Sequence, residues 1–163
     1  MSKKVVVSIW LVVLAGLIIL SVGLWYQSGN ASKDEQLVFT DDSVRTVIAN
    51  LNNYTYELML SDTPQLRSQG LSGQQDLGES EGMLFVFDDD GLHGFWMKDM
   101  NFAIDIIWID KNYRVVSIEP RVSPSSFPNV YQPTAPARYV IEITSGHADA
   151  IGLKPGDIVN FTF

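Results

Sequence analysis

The chain has 163 residues, which is room for one ordinary domain and a short appendage. It contains no cysteine, so disulfide bonds and lipidation on cysteine are excluded. Setting aside Lys3 and Lys4 leaves 9 basic against 19 acidic residues, a formal charge of −10, which would repel nucleic acid and anionic lipid head groups.

The first element is an uncharged apolar run from Val5 to Tyr26 that follows Lys3 and Lys4. The run is long enough to cross a bilayer of about 30 Å as a helix. Positive residues before such a span favour a cytoplasmic N-terminus, so we expect a single-pass signal anchor over 1–26. The rest of the chain would then lie outside the cytoplasmic membrane. The alternative is a secretory signal cleaved near Ala31, which would release a secreted domain.

Residues 27–36 are polar and small and lack a periodic apolar pattern, so they predict a flexible tether before a domain over 37–163. From Val44 to Leu60, β-branched and aromatic residues alternate with polar ones around Asn52-Asn53, which predicts a hairpin. A short helix is expected from Pro64 to Gly70, capped by Asp62 or Thr63.

The central part of the chain predicts two further hairpins. In the second hairpin, Met83–Phe87 and Phe95–Met97 flank a turn-rich stretch, Asp88–Gly91. In the third, Ile104–Ile109 and Tyr113–Ile118 flank a turn that begins at Asp110.

Five prolines between Pro120 and Pro136 predict a long surface loop. Closing strands are expected at Arg138–Ile143 and Ile158–Phe163, with a helical turn at Ala148–Ile151 between them. The predicted fold is therefore mainly β, a compact β-barrel or sandwich with one or two short helices.

The strongest candidate site lies between Phe95 and Asp110, where Lys98 and Asp105 interrupt an apolar sequence. Trp96 and Lys98 are two residues apart and would share one strand face, as the wall of a pocket for a small polar ligand. Asp105 would orient Lys98 or bind the ligand. The competing interpretation is a structural ion pair between Lys98 and Asp105, since an isolated buried charge is costly.

Three further residues complete the candidate ligand-binding set. Asp99 adjoins Lys98, Tyr131 lies on the proline-rich loop that would form the rim of the pocket, and Glu142 lies in a closing strand. For Glu142 the simpler expectation is an ion pair with Arg67 or Arg138.

No pattern in the sequence predicts a metal, a cofactor or a catalytic residue. The oxygen-rich Asp88–Asp90 stretch lacks the spacing of an EF-hand and is expected to be a solvated turn. His93 and His147 are isolated from each other in the sequence, which argues against zinc. The chain has neither a cysteine nucleophile nor a G-x-S-x-G motif.

A family resemblance rests on several segments taken together. They are Thr63-Pro64 with Arg67 and Gly70-Leu71, EGMLFVF at Glu81–Phe87, FWMK at Phe95–Lys98, DIIWID at Asp105–Asp110, PARYVIE at Pro136–Glu142 with Gly146, and GLKPGD at Gly152–Asp157. From about Val44 to Phe163 the chain resembles Domain of Unknown Function 192, an uncharacterised bacterial and archaeal family. The resemblance implies a compact, mainly β fold, often behind a signal or anchor segment, and no agreed activity.

These observations favour an anchored, extracytoplasmic binding or accessory module of the cell envelope. Its partners would be the membrane, through Val5 to Tyr26, and a small polar ligand or an envelope protein. One alternative is a hydrolase-like enzyme acting on an envelope component, with Asp105 or Asp99 as acid or base. The other is a structural domain that binds protein through its strand edges or its loop.

Overall fold

The computed structural model describes residues 45–162. The predicted anchor, the tether and the alternative cleavage point near Ala31 lie outside these residues. Within the described range, none of the helices has the length and apolar character needed to cross a membrane.

The first predicted hairpin is confirmed. Strands β1 (Thr46–Leu51) and β2 (Tyr54–Ser61) pair antiparallel, and Leu51 lies opposite Tyr54. Asn52 and Asn53 both adopt positive φ, at 45° and 69°. Two-residue hairpin turns that match the twist of the strands need this conformation, which asparagine tolerates better than most residues.

The predicted short helix is also confirmed, as α1 (Pro64–Gln69). Of the two candidate caps the structure uses Thr63, whose hydroxyl accepts a hydrogen bond from the Leu66 N–H at 3.2 Å. Gly70 follows the helix with a φ of 52°. The connection through α1 returns the chain to the sheet, so that β3 (Glu81–Gly91) runs parallel to β2.

The second predicted hairpin is wrong. Residues 88–91 continue strand β3 instead of turning, and β3 pairs with the distant strand β6 (Ala137–Thr144) across a register shift. The Arg138 guanidinium contacts Asp90 in this extension, with Nε donating to Oδ1 at 2.7 Å. Phe95 forms one isolated bridge with Tyr131 in the proline-rich loop.

The third predicted hairpin is confirmed, as β4 (Ile104–Ile109) and β5 (Val115–Val122). Strand β5 runs further than expected and includes Pro120. In a bulge, two residues of β5, Pro120 and Arg121, lie opposite the single β4 residue between Ile104 and Ile106, and proline is tolerated at such a position.

The remaining elements follow the sequence prediction closely. They are a single 3-10 turn (Pro124–Ser126) in the proline-rich loop, helix α2 (His147–Ala150) and strand β7 (Val159–Thr162). Strand β6 and strand β7 correspond to the predicted closing strands.

The seven strands form one sheet in the order β5-β4-β6-β3-β2-β1-β7. The sheet curls into a half-barrel, and its two edge strands approach each other where Arg114 bridges Ile158. The prediction of a mainly β domain with short helices is thus confirmed, and its architecture is this single curled sheet.

Both faces of the sheet are covered, so strand β4, which lies between β5 and β6, is buried along its whole length. Successive β4 side chains point to opposite faces. Ile107 and Ile109 join a first core that also contains Leu58 and Ala148 of α2. Ile104, Ile106 and Trp108 join a second core, together with Phe85, Met97 and Leu71, the last of which follows α1.

Candidate functional site

A cavity of about 190 Å³ opens on the second core. Its walls come from the end of α1 and the residues after it, from β3 and β6, and from the loop that follows β3. The lining residues are Arg67, Ser68, Gln69, Gly70, Leu71, Ser72, Phe85, Phe87, His93, Gly94, Phe95, Trp96, Met100 and Glu142.

Glu142 contributes the one acidic side chain in this lining. It lies on β6 between Met83 of β3 and Ile106 of β4, and only 5% of it is exposed. Its Oε2 atom is buried and has no hydrogen-bond partner within residues 45–162. Burial removes water from the charged form and raises the pKa of Glu142 to about 8, so the carboxyl is mostly protonated at neutral pH.

Arg67 brings a fixed positive charge to the same cavity. Its Nη1 atom donates to two main-chain carbonyls, those of Asp62 at 2.8 Å and Val86 at 2.7 Å. The Cζ atom lies 5.2 Å from the centroid of the Phe87 ring, within the range of a cation–π contact. The guanidinium is therefore held in place by α1, β3 and an aromatic ring.

The expected ion pair between Glu142 and Arg67 or Arg138 is wrong. Among the ion pairs of residues 45–162, Arg138 contacts Asp90, and neither arginine approaches Glu142 within 4.0 Å. Glu142 points to the second core, where apolar side chains surround it.

Aromatic rings form the apolar walls of the cavity. Phe85 and Phe95 meet edge to face with centroids 4.8 Å apart, and His93 stacks on Phe87 at 3.6 Å. The Nε1 atom of Trp108 donates to the His93 carbonyl at 2.8 Å, which ties the loop to strand β4. The walls are thus anchored to the sheet.

The structure brings two of the predicted site residues, Trp96 and Glu142, into this one cavity. Trp96 is 51% exposed and contacts Phe127 of the proline-rich loop, with ring centroids 5.9 Å apart. Tyr131 lies next to the cavity: its main chain exchanges two hydrogen bonds with Phe95, at 2.8 and 2.9 Å. The proline-rich loop therefore supports the loop that carries Trp96.

Lys98 and Asp99 lie outside the cavity lining, and both side chains are exposed. Their main-chain carbonyls bind the segment after α1, which lines the cavity. The Lys98 carbonyl accepts a hydrogen bond from the Ser72 hydroxyl at 2.8 Å. The Asp99 carbonyl likewise accepts from the Gly73 N–H at 2.9 Å.

Asp105 is separated from all of these residues, because it points to the opposite face of β4. It is fully buried, and its two oxygens accept from the N–H groups of Arg121, Gly146 and Ala148, each at 2.8 Å. No ion pair in the described chain joins Asp105 to Lys98, so the alternative of a structural pair is wrong. Backbone hydrogen bonds satisfy this carboxylate instead.

Sequence reasoning placed Trp96 and Glu142 in the candidate set. It connected Glu142 with Arg67 only as an ion pair, and it connected neither residue with Phe85, Phe87 or His93. These residues come from four separate segments and share no periodic pattern. The sequence gives two signals for Arg67: its place in a family motif and its candidacy as an ion-pair partner of Glu142. Within residues 45–162, no group of three or more His, Cys, Asp or Glu side chains is placed to hold a metal ion.

A family model described as "Uncharacterized ACR", Domain of Unknown Function 192, matches residues 46–161. The chain belongs to this family. The match covers every strand and helix described above except the last residue of β7, Thr162, so the family's domain and the half-barrel coincide.

A curated relative, a UPF0127 protein of Pyrococcus horikoshii, is 36% identical over 70 residues, which is 43% of this chain and 55% of the relative. The chain thus spans about half the length of this member of an uncharacterised family.

Two solved structures share the fold. A Novosphingobium aromaticivorans protein of unknown function is 28% identical with a TM-score of 0.65, covering 71% of this chain and 83% of the other. A Sinorhizobium meliloti protein described as a candidate transcription regulator is 24% identical with a TM-score of 0.66, covering 71% and 92%. The second likeness concerns the fold alone.

Proposed function

We propose that this protein is an extracytoplasmic binding module of the cell envelope, anchored by Val5 to Tyr26, that holds a small ligand in the cavity above Glu142. The observation that carries the proposal is the buried, unpartnered Glu142 carboxyl at the wall of an open cavity. Buried polar atoms in proteins almost always have a partner, so an exception needs an explanation, and one that lies at an open cavity can be satisfied by a ligand.

The energetics of Glu142 support this proposal. A buried polar group without a hydrogen bond costs roughly 1–3 kcal/mol. Replacing Glu142 by an apolar residue would remove that penalty, yet the chain keeps an acid there, surrounded by Met83, Ile106 and Phe85. A ligand that hydrogen-bonds to the carboxyl would recover the lost energy, whereas no contact within residues 45–162 does so.

The geometry favours binding over hydrolysis. Hydrolysis of glycosidic bonds, for example, generally uses two carboxyl groups on either side of one reacting bond. The cavity lining contains Glu142 as its single carboxyl, and Asp105, the other deeply buried acid, lies on the opposite face of the sheet. A two-carboxyl mechanism of this kind therefore lacks its second group in the cavity lining.

Thermal-shift measurements on the full-length chain in detergent micelles test the proposal. A panel of small neutral, cationic and anionic compounds is screened at pH 7, since a ligand that binds only the folded state raises the Tm. We expect at least one compound to raise the Tm of the wild type and to lose this effect in Glu142→Leu. Glu57→Leu, which changes an exposed acid, is the control and should retain the effect.

Two results would contradict the proposal. One is a panel in which no compound changes the Tm of the wild type. The other is a Tm increase of the same size in Glu142→Leu, because the compound would then be bound elsewhere.

A further inference from the structure

We infer that the ligand of this cavity is a small organic anion, whose charged group lies between the Arg67 guanidinium and the Glu142 carboxyl. The inference rests on the proposed function and adds the charge and chemical class of the ligand. It depends on three properties of the cavity: its charge, its free hydrogen-bond donors and its size.

The charge of the lining is positive at neutral pH. Arg67 carries a permanent charge, and Glu142 is mostly neutral because burial raises its pKa to about 8. The other titratable group in the lining is His93, on the loop after β3, while the β3 and β4 neighbours of Glu142 are the apolar Met83 and Ile106. A cationic ligand would meet Arg67 without a carboxylate to offset the repulsion.

The free donors of Arg67 are arranged for an acceptor from outside the chain. Its Nη1 atom is already used by the Asp62 and Val86 carbonyls. Its Nε and Nη2 atoms donate no hydrogen bond to any group in residues 45–162. Since Nη1 and the Phe87 ring hold the guanidinium in place, its other edge is pre-organised for a bidentate contact with a carboxylate.

Glu142 supplies the second donor. A protonated carboxyl offers one O–H group, and its hydrogen bond to a carboxylate oxygen is of the strong, charge-assisted kind. Arg67 and Glu142 do not pair with each other within 4.0 Å, and both line the same space. An anionic group between them would satisfy the two side chains at once.

The size of the cavity limits the rest of the ligand. A volume of about 190 Å³ corresponds to roughly six water molecules at about 30 Å³ each. Phe85 and Phe95 present an apolar surface to this space. The ligand class is therefore a carboxylate with a compact apolar body, such as one aromatic ring.

Isothermal titration calorimetry on the full-length chain in detergent micelles, with empty micelles as the blank, tests this class. The probes are benzoate, benzamide and benzylammonium, which share a ring and differ in the charge of the head group. At pH 7 we expect benzoate to bind at least about tenfold more tightly than either other probe, the effect of one charge-assisted hydrogen bond. At pH 9.5 benzoate should bind about tenfold more weakly, because Glu142 is then ionised.

Variants test whether Glu142 and Arg67 are the two side chains that donate hydrogen bonds to benzoate. Glu142→Gln keeps an N–H donor and cannot ionise, so benzoate binding should persist and lose its dependence on pH, which separates Glu142 from His93. Glu142→Leu removes the donor and should weaken benzoate at least about tenfold. Arg67→Lys keeps the charge without the bidentate geometry and should also weaken benzoate. Lys98→Met removes an exposed positive charge outside the lining and should change nothing.

Peptides distinguish two sources of the carboxylate. A tripeptide that ends in a free phenylalanine carboxylate is compared with its C-terminal amide and with benzoate. Binding of the acid at least about tenfold tighter than benzoate would indicate a chain end as ligand, and weaker or equal binding would indicate a free acid.

The results that overturn the inference differ from those that overturn the proposed function. If benzylammonium or benzamide binds as tightly as benzoate, or if Lys98→Met weakens benzoate as much as Arg67→Lys, the anion assignment is wrong. The binding proposal then stands as long as Glu142→Leu abolishes the binding of any compound. If no compound binds, both fail.

Discussion

Two buried carboxyl groups in this domain have opposite surroundings. Asp105 accepts three backbone hydrogen bonds on one face of the sheet, and Glu142 Oε2 accepts none on the other. The first carboxylate is compensated by the fold itself. The second is left without a protein partner, so it destabilises the folded state whenever it has to ionise.

We therefore expect the contribution of Glu142 to the stability of the folded state to fall as the pH rises from about 4.5 to 8. In this range the unfolded chain has released the Glu142 proton, while the folded chain still binds it. Below pH 4.5 both states are protonated, and above pH 8 both are ionised, so the contribution is constant there. Each pKa unit corresponds to about 1.4 kcal/mol, which makes the full loss about 5 kcal/mol.

Urea unfolding of the wild type and of Glu142→Gln at pH 5, 7 and 9 measures this contribution. The variant should gain stability relative to the wild type as the pH rises. Glu57→Gln, at an exposed position, is the control and should follow the wild type at each pH. Parallel pH curves for the wild type and Glu142→Gln would contradict the buried, protonated state of this side chain.

At the scale of elements, Asp105 joins three parts of the fold. It lies on β4, and it bonds the Arg121 N–H in the β5 bulge and the Gly146 and Ala148 N–H groups at the start of α2. The bulge takes Arg121 out of the regular ladder at a φ of 53°. The carboxylate therefore satisfies donors that neither the sheet nor the short helix can satisfy.

Asp105→Ala should lower the free energy of unfolding by about 4 kcal/mol, because it leaves three backbone donors without their acceptor. Asp105→Asn should restore less than half of this loss, since its amide presents N–H groups to other N–H groups. The measurement is urea unfolding at pH 7. Asp149→Asn breaks the exposed ion pair with Arg121 and, as control, should cost less than about 1 kcal/mol. A loss of similar size in Asp105→Ala and Asp149→Asn would contradict this role.

The elements that could be predicted from the sequence are those defined by near neighbours. The turn at Asn52-Asn53, the Thr63 cap and the β4–β5 hairpin each depend on residues within one short segment. Strand β3 was the exception. Its Asp88–Gly91 stretch has the composition of a turn, but pairing with Ala137 and the contact from Arg138 keep it extended.

The candidate site was predictable only in part, for the same reason. Trp96 is predictable as a ligand-binding residue because it is an aromatic residue near charged ones. Glu142 is predictable because it interrupts an apolar strand. Whether Glu142 or Asp105 faces the cavity depends on the register between β4 and β6, which places Ile106 opposite Glu142. A one-residue change in that register would bring both carboxyl groups to the same face, and sequence alone does not define the register.

For the whole molecule, the acidic surface and the positive cavity have separate roles. A net charge of −8 discourages binding to nucleic acid. Arg67 gives the cavity a positive charge within this acidic chain. The volume of about 190 Å³ limits its ligand to a small anion. The proposed anchor would keep the domain on the outer side of the cytoplasmic membrane.

Because the chain has no cysteine, single introduced cysteines report its topology without background. We expect Ser32→Cys, beyond the predicted span, to react with a membrane-impermeant maleimide in spheroplasts. Ser2→Cys, before the span, should react only after lysis. Equal labelling of both in intact spheroplasts would contradict the topology, and loss of residues before Ala31 from the mature protein would show cleavage in place of anchoring.

The position of β1 has a mechanical consequence. The chain enters the sheet through this strand, which lies between β2 and β7 and pairs antiparallel with both. A pulling force directed along β1 from its N-terminal end would load two ladders of hydrogen bonds in parallel. Separation would require many bonds to shear together, whereas an edge strand could be peeled off one bond at a time. A domain tethered at this end would resist being torn from its support.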